Sequence, residues 1–156
     1  MPRPVFVVCS ESISQDRETN LLSIFSIIER LDFFIGGKPD GTSDPAQMAI
    51  KHFRARLTAV WMFDPDEVNI PFEHEVAFLL PPNGEEVLGA KTEFSLREGF
   101  HLHRFVTALV GLPPIKTGTL NLVSRVRRAG DSDWISQSYP VVVSVSEPST
   151  ELKSNG

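Results

Sequence analysis

The chain has 156 residues, 41% of them hydrophobic and 22% charged, with a formal net charge of −5. That suits one globular domain able to bury its own core, and it supplies no basic field to hold nucleic acid. Cys9 is the only cysteine, which excludes an intramolecular disulfide and a cysteine-rich zinc site. No apolar run approaches the ~18 residues needed to span a bilayer. The opening MPRPVFVVCSES is too short in its apolar part for a secretory leader, so a cytoplasmic location is expected.

The first expected strand runs from Val5 to Ile13, and Cys9 within VFVVCS reads as a small buried thiol. Residues 14–20, SQDRETN, follow as a hairpin loop. The next stretch, ETNLLSIFSIIERLDF at 18–33, is ambiguous. Leu21, Ile24, Phe25, Ile28 and Leu31 fit a helical stripe, and Thr19 or Asn20 could cap such a helix. Its β-branched and aromatic residues favour a pleated, packed surface instead. A central strand that is apolar on both faces would produce the same stripe. Strand is the preferred reading, with helix as the alternative.

Residues 50–63 give the clearest period of two. Phe53, Ala55, Leu57, Ala59, Trp61 and Phe63 share one face, and His52, Arg54, Arg56 and Thr58 the other. Residues 68–80 alternate as well: Phe72, His74, Val76, Phe78 and Leu80 oppose Glu73 and Glu75, with Pro71 at the strand start or on an edge. Pro81-Pro82-Asn83-Gly84 is a turn, and a weaker strand returns through residues 86–96. Residues 100–112 are apolar on both faces from Phe105 onward, which predicts a central strand covered on both sides or a bulge near Arg104. Residues 119–127 place Leu120, Leu122 and Val126 inward and Asn121, Arg125 and Arg127 outward. In the last strand, 134–145, Ile135, Tyr139, Val141, Val143 and Val145 share a face, and Pro140 marks a bulge or an edge position.

Twelve prolines punctuate these runs and interrupt long helices. The expected fold is all-β, an antiparallel β-sandwich of about seven to eight strands. It occupies residues 1–146, with a flexible polar tail at 147–156.

Several phrases resemble an uncharacterised family of small bacterial β-sandwich proteins. They are the opening strand ending in Cys-Ser-Glu, the loop SQDRETN, LLSIFSIIERL, FEHEVAFLLPPNGEE and HRFVTALVGLPPIKTGTLNL. The resemblance spans most of residues 5–145. It implies a compact sandwich with residues 20–32 as strand, and it carries no activity and no catalytic residues.

Three constellations bear on chemistry. His101 and His103 lie on one side of a strand, and His74 could approach them if the strands adjoin, a set that could hold zinc if a further ligand converged. The plainer alternative is that His74 is a hydrogen-bonded histidine at the core edge. Asp64 with Asp66 and Asp131 with Asp133 are Asp-x-Asp pairs in turns; gathered at one end they could serve calcium, and otherwise they are ordinary turn residues. Arg54 and Arg56 on one strand and Arg125 and Arg127 on another would form a cationic patch for phosphate or an acidic partner if the strands were neighbours; the plainer alternative is a solvated sheet face, or charges that discourage edge aggregation. Aromatic residues do not interleave with these arginines, which argues against a single-strand nucleic-acid platform. There is no glycine-rich phosphate loop and no nucleophile elbow.

The expectation is a non-enzymatic binding module without a cofactor, acting on an unidentified protein partner. A homodimer is expected if an apolar face stays uncovered. The alternative is a small-ligand, calcium or zinc module, acting at an anionic surface.

Overall fold

The computed structural model describes residues 1–34 and 53–146. The long loop at 36–47, His52 and the polar tail at 147–156 lie outside the described residues. The described residues form nine strands: β1 Arg3–Gln15, β2 Leu22–Ile27, β3 Arg30–Phe34, β4 Arg54–Met62, β5 Pro71–Leu80, β6 Glu85–Ser95, β7 Leu102–Val110, β8 Gly118–Arg128 and β9 Ile135–Ser146. One sheet has the order β2-β1-β4-β7 and the other β3-β9-β8-β5-β6. The expected all-β sandwich is therefore present, with nine strands rather than seven to eight. All pairs are antiparallel except β3 with β9, which is parallel.

The ambiguous stretch is neither a helix nor one long strand. It is two short strands in different sheets. Ser26 takes a left-handed φ of 54° near the end of β2. The Ile28 amide then donates to the Cys9 carbonyl in the first sheet (2.9 Å), and the Glu29 carbonyl accepts from Val142 in the second (2.9 Å). The chain crosses the sandwich between those residues. The apparent helical stripe is the sum of two alternating patterns interrupted by this crossing. Phe25 and Ile27 are about half exposed, so this stretch is not a buried strand either.

Elsewhere the period-two pattern maps directly onto faces. Ala55, Leu57, Ala59 and Trp61 of β4 point inward, as do Phe72, Val76 and Phe78 of β5 and Leu120, Leu122 and Val126 of β8. Trp61, Phe72 and Val126 are fully buried, and Phe63, Phe72 and Phe94 pack with ring centroids 5.1 to 5.8 Å apart. Each such side chain contributes roughly 1.5–3 kcal/mol of burial. Cys9 lies fully buried in the same interior; burial pushes its thiol up to about 11, so it is an inert packing group.

Pro71 opens β5, where it is expected to be tolerated. Pro140 lies in the part of β9 that precedes its pairing with β3 at Val142, so its missing donor falls on a locally unpaired edge. A bulge at Gly89 shifts the register, with Val76 opposite Ala90 but Ala77 opposite Leu88. A Cβ there would stand 2.7 Å from Phe78 Cε2 and 3.2 Å from the Val76 carbonyl oxygen, so only glycine fits. The bulge also reverses the alternation of β6, turning Glu86 to the outside with Lys91 and Glu93.

β7 departs from expectation. A central strand covered on both sides was predicted, or a bulge near Arg104. The structure puts β7 at a sheet edge, paired to β4 without a register shift. Phe105 and Leu109 face the core, whereas Leu102, Val106 and Val110 on the other side are exposed.

Candidate functional site

Three regions place polar or exposed apolar groups in unusual settings. The first is a buried polar cluster between the sheets. Trp61 Nε1 donates to Ser124 Oγ at 3.1 Å, and His74 Nε2 lies 3.0 Å from the same oxygen. The indole can only donate, so Ser124 Oγ accepts from Trp61, and a neutral His74 ring shares the same oxygen. Burial, with a smaller contribution from the charge of His103, lowers the His74 pKa to about 4. His74 stacks on Phe105 at 3.7 Å, and His103 stacks on Phe94 at 4.7 Å. The Ser–His contact resembles half of a nucleophilic pair, but Ser124 is 0% exposed and already accepts from Trp61. It can reach no substrate. Its role is to satisfy two ring nitrogens that the core would otherwise leave unpaired.

The second region is the outer face of the five-stranded sheet. Glu73 and Glu75 on β5 stand opposite Arg127 and Arg125 on β8. Arg127 Nε donates to Glu73 at 2.5 Å, and Arg125 reaches both Glu75 (2.8 Å) and Glu86 (2.9 Å). Lys91 on β6 closes the other side, 2.9 Å from Glu73 and 3.7 Å from Glu75. Lys91 and then Arg127 hold the Glu73 carboxyl below the usual range. Trp134 covers the arginines, its ring 5.1 Å from Arg125 and 4.3 Å from Arg127.

The third region is the outer face of the four-stranded sheet. Its outward residues are Phe25 and Ile27 on β2, Phe6, Val8, Ser10 and Ser12 on β1, Arg54, Arg56, Thr58 and Val60 on β4, and Leu102, Arg104, Val106, Ala108 and Val110 on β7. None is acidic. Phe6, Phe25, Ile27, Leu102, Val106 and Val110 are between 39% and 68% exposed. A cleft of about 630 Å³ opens on this face, with Asn20, Val60, Leu102, Arg104 and Val106 in its lining.

The expected site residues separate accordingly. Arg54 and Arg56 lie on the four-stranded sheet and Arg125 and Arg127 on the other, on opposite outer faces of the sandwich, so the single patch drawn from all four does not form. Arg104, which sequence reasoning marked only as the site of a bulge, joins Arg54 and Arg56 instead. Its neighbourhood to them needed the β4–β7 register, where Val60 faces Arg104 and Arg56 faces Ala108.

His74 is buried, His103 is half-buried and His101 is exposed, just before β7. Asp64 is occupied by the Met1 amine (2.7 Å) and Arg3 (2.8 Å), with the amine the main cause of its lowered pKa. Asp66 is exposed in the 3-10 turn Pro65–Glu67, whose fully buried Glu67 accepts from the Asp64 amide at 2.9 Å and from Arg128 at 3.3 Å. Asp131 and Asp133 line a cavity with Arg127, Arg128 and Met1. Among the described residues no group of three or more His, Cys, Asp or Glu is placed to hold a metal ion.

Sequence reasoning missed the charge ladder. The signal was there as Glu73-x-Glu75 and Arg125-x-Arg127, two like-spaced outward pairs of opposite sign, but their pairing depends on β5 and β8 being neighbours. No family model, no curated protein and no solved structure matches the chain.

Proposed function

We propose that this chain is a non-enzymatic interaction module of a bacterial cytoplasm, docking an acidic, partly apolar segment of a protein partner on the outer face of the four-stranded sheet. The observation that carries this reading is composition: Arg56, Arg104 and six exposed apolar side chains share a face, and among the described residues no carboxylate pairs with either arginine, on a chain of net charge −5. Charge segregated against the net charge of the molecule favours a partner of opposite sign, and the exposed apolar groups give that partner something to bury. The single cysteine, buried and unpaired, suits a reducing compartment. The resemblance to small bacterial sandwich proteins supports the bacterial setting. The sealed Ser124–His74 contact supports a binding role over a hydrolytic one.

The test is titration with a short peptide alternating glutamate and leucine. Binding that weakens with salt and falls at least tenfold in R56E/R104E supports the reading. Equal binding of a lysine–leucine peptide overturns it, as does indifference to the charge reversal. Binding to anionic vesicles without binding to the acidic peptide replaces the protein partner with a lipid surface.

A further inference from the structure

We infer that the free edge of β7 pairs with the same edge of a second copy, antiparallel about Val106, joining two four-stranded sheets into one of eight. The edge borders the docking face above and shares Leu102, Arg104, Val106 and Val110 with it, but the inference rests on the backbone groups of β7 and not on that reading.

Sheet edges are ordinarily protected, and among the described strands three of the four edges are. β6 carries Glu85, Glu86, Lys91 and Glu93 and the Gly89 bulge. β2 has six residues and a left-handed turn at Ser26, and β3 has five residues. β7, LHRFVTALV, has nine residues, no proline, no bulge and one Arg. Its sequence is that of a covered strand, in a place where no described strand covers it.

The direction of its free hydrogen-bonding groups follows from its pairing with β4. Gly111 donates to the Phe53 carbonyl and Phe63 to the His101 carbonyl, so the odd-numbered residues of β7 bond to β4. The amides and carbonyls of Leu102, Arg104, Val106, Ala108 and Val110 therefore point away from the sheet. Among the described residues no strand pairs with them.

Val106 is the midpoint of β7. A dyad there overlaps all nine residues and sets Leu102 opposite Val110 of the copy, Arg104 opposite Ala108, and Val106 opposite itself. Every opposed pair is then a hydrogen-bonded pair, giving about ten new backbone bonds. The exposed apolar side chains Leu102, Val106 and Val110 meet their counterparts on one face. The two Arg104 side chains sit about 13 Å apart along the strands, from a rise of ~3.4 Å per residue, so the only charges on the edge do not collide. A dyad at Arg104 would oppose two guanidinium groups directly. This complementarity of charge and shape selects a second copy over an unrelated strand. A single pair of nine-residue strands joins the copies, so the dimer forms with rising concentration.

Sedimentation equilibrium from micromolar to millimolar protein tests it. The mass should rise from 17.4 kDa toward twice that value. Val106→Lys should weaken association at least tenfold, and Val106→Pro should do the same, because the amide it removes points away from β4. Arg56→Met, on the same face but not on the edge, should leave it unchanged. Register is read by oxidation. Val106→Cys should cross-link to a dimer. R104C and A108C should do so only when combined. A monomer throughout the range overturns the inference, as does association indifferent to V106K. Cross-linking by R104C alone overturns the register.

Discussion

The two outer faces of this sandwich begin from the same motif and end in opposite electrostatic states. β4 carries Arg54-x-Arg56 and β8 carries Arg125-x-Arg127, each pair pointing away from the core. On β8 the adjacent strand supplies Glu73-x-Glu75 in register, β6 adds Lys91 and Glu86, and Trp134 lies over the top. On β4 the neighbours across from Arg56 are Ser10 and Ala108, and across from Arg54 is Val110. The first face is a closed network with its charges matched. The second sets Arg56, Arg104 and exposed apolar side chains around a buried centre of Val8, Ser10, Thr58 and Val60. An arginine pair thus has no meaning until its cross-strand partners are known. Matched charges rigidify a face, while unmatched ones leave it able to recognise another molecule.

The largest expected effect lies in the interior that both faces share. The His74 pKa falls from 6.5 to about 4 on folding. Below pH 6.5 the unfolded chain takes up a proton that the native core refuses, so stability is full above that pH and declines as pH falls toward 4. The loss is at most about 3 kcal/mol. Urea midpoints measured at pH 7.5, 5.5 and 4.5 check it, and His74→Phe should flatten the slope in that window. Glu73 acts in the same direction in a more acid window, since its lowered pKa makes its contribution fade only as pH drops below the normal carboxylate range.

The next effect separates the faces. Arg125→Met leaves the buried Glu75 with only Lys91 at 3.7 Å, and should cost about 1–2 kcal/mol. Replacing Arg125 and Glu75 together with apolar residues should recover part of that loss in a double-mutant cycle. A cost no larger than for Arg56→Met would erase the distinction between the faces. Trp134→Ala should cost about 1 kcal/mol through its two cation–π contacts, and more at low salt. The smallest change is expected for Arg56→Met and Arg104→Met, each within about 0.5 kcal/mol in stability, while binding of the acidic peptide falls. Stability and binding should therefore respond to different arginines.

Much of the fold was legible because a pleated strand turns alternate side chains to opposite faces. That rule assigned the inward residues of β4, β5, β8 and β9, and the chemistry of proline, asparagine and glycine assigned the turn at Asn83-Gly84 and the strand-opening Pro71. It failed at residues 18–33, where two strands in different sheets share one apolar run, because the left-handed turn at Ser26 leaves no mark in hydrophobicity. It failed at β7 for another reason. An apolar outer face says that a strand is covered in some state, but not by which molecule.

The amino-acid sequence by itself determined which side chains face inward, since burial of apolar surface acts on each strand separately. Only the tertiary structure decided which strands became neighbours. That choice matched Arg125 and Arg127 with carboxylates, left Arg56 and Arg104 with no carboxylate partner among the described residues, and gave Trp61 and His74 a shared serine. The reason is that Coulomb and hydrogen-bond energies depend on distances between residues tens of positions apart, and the order of strands in a sheet sets those distances.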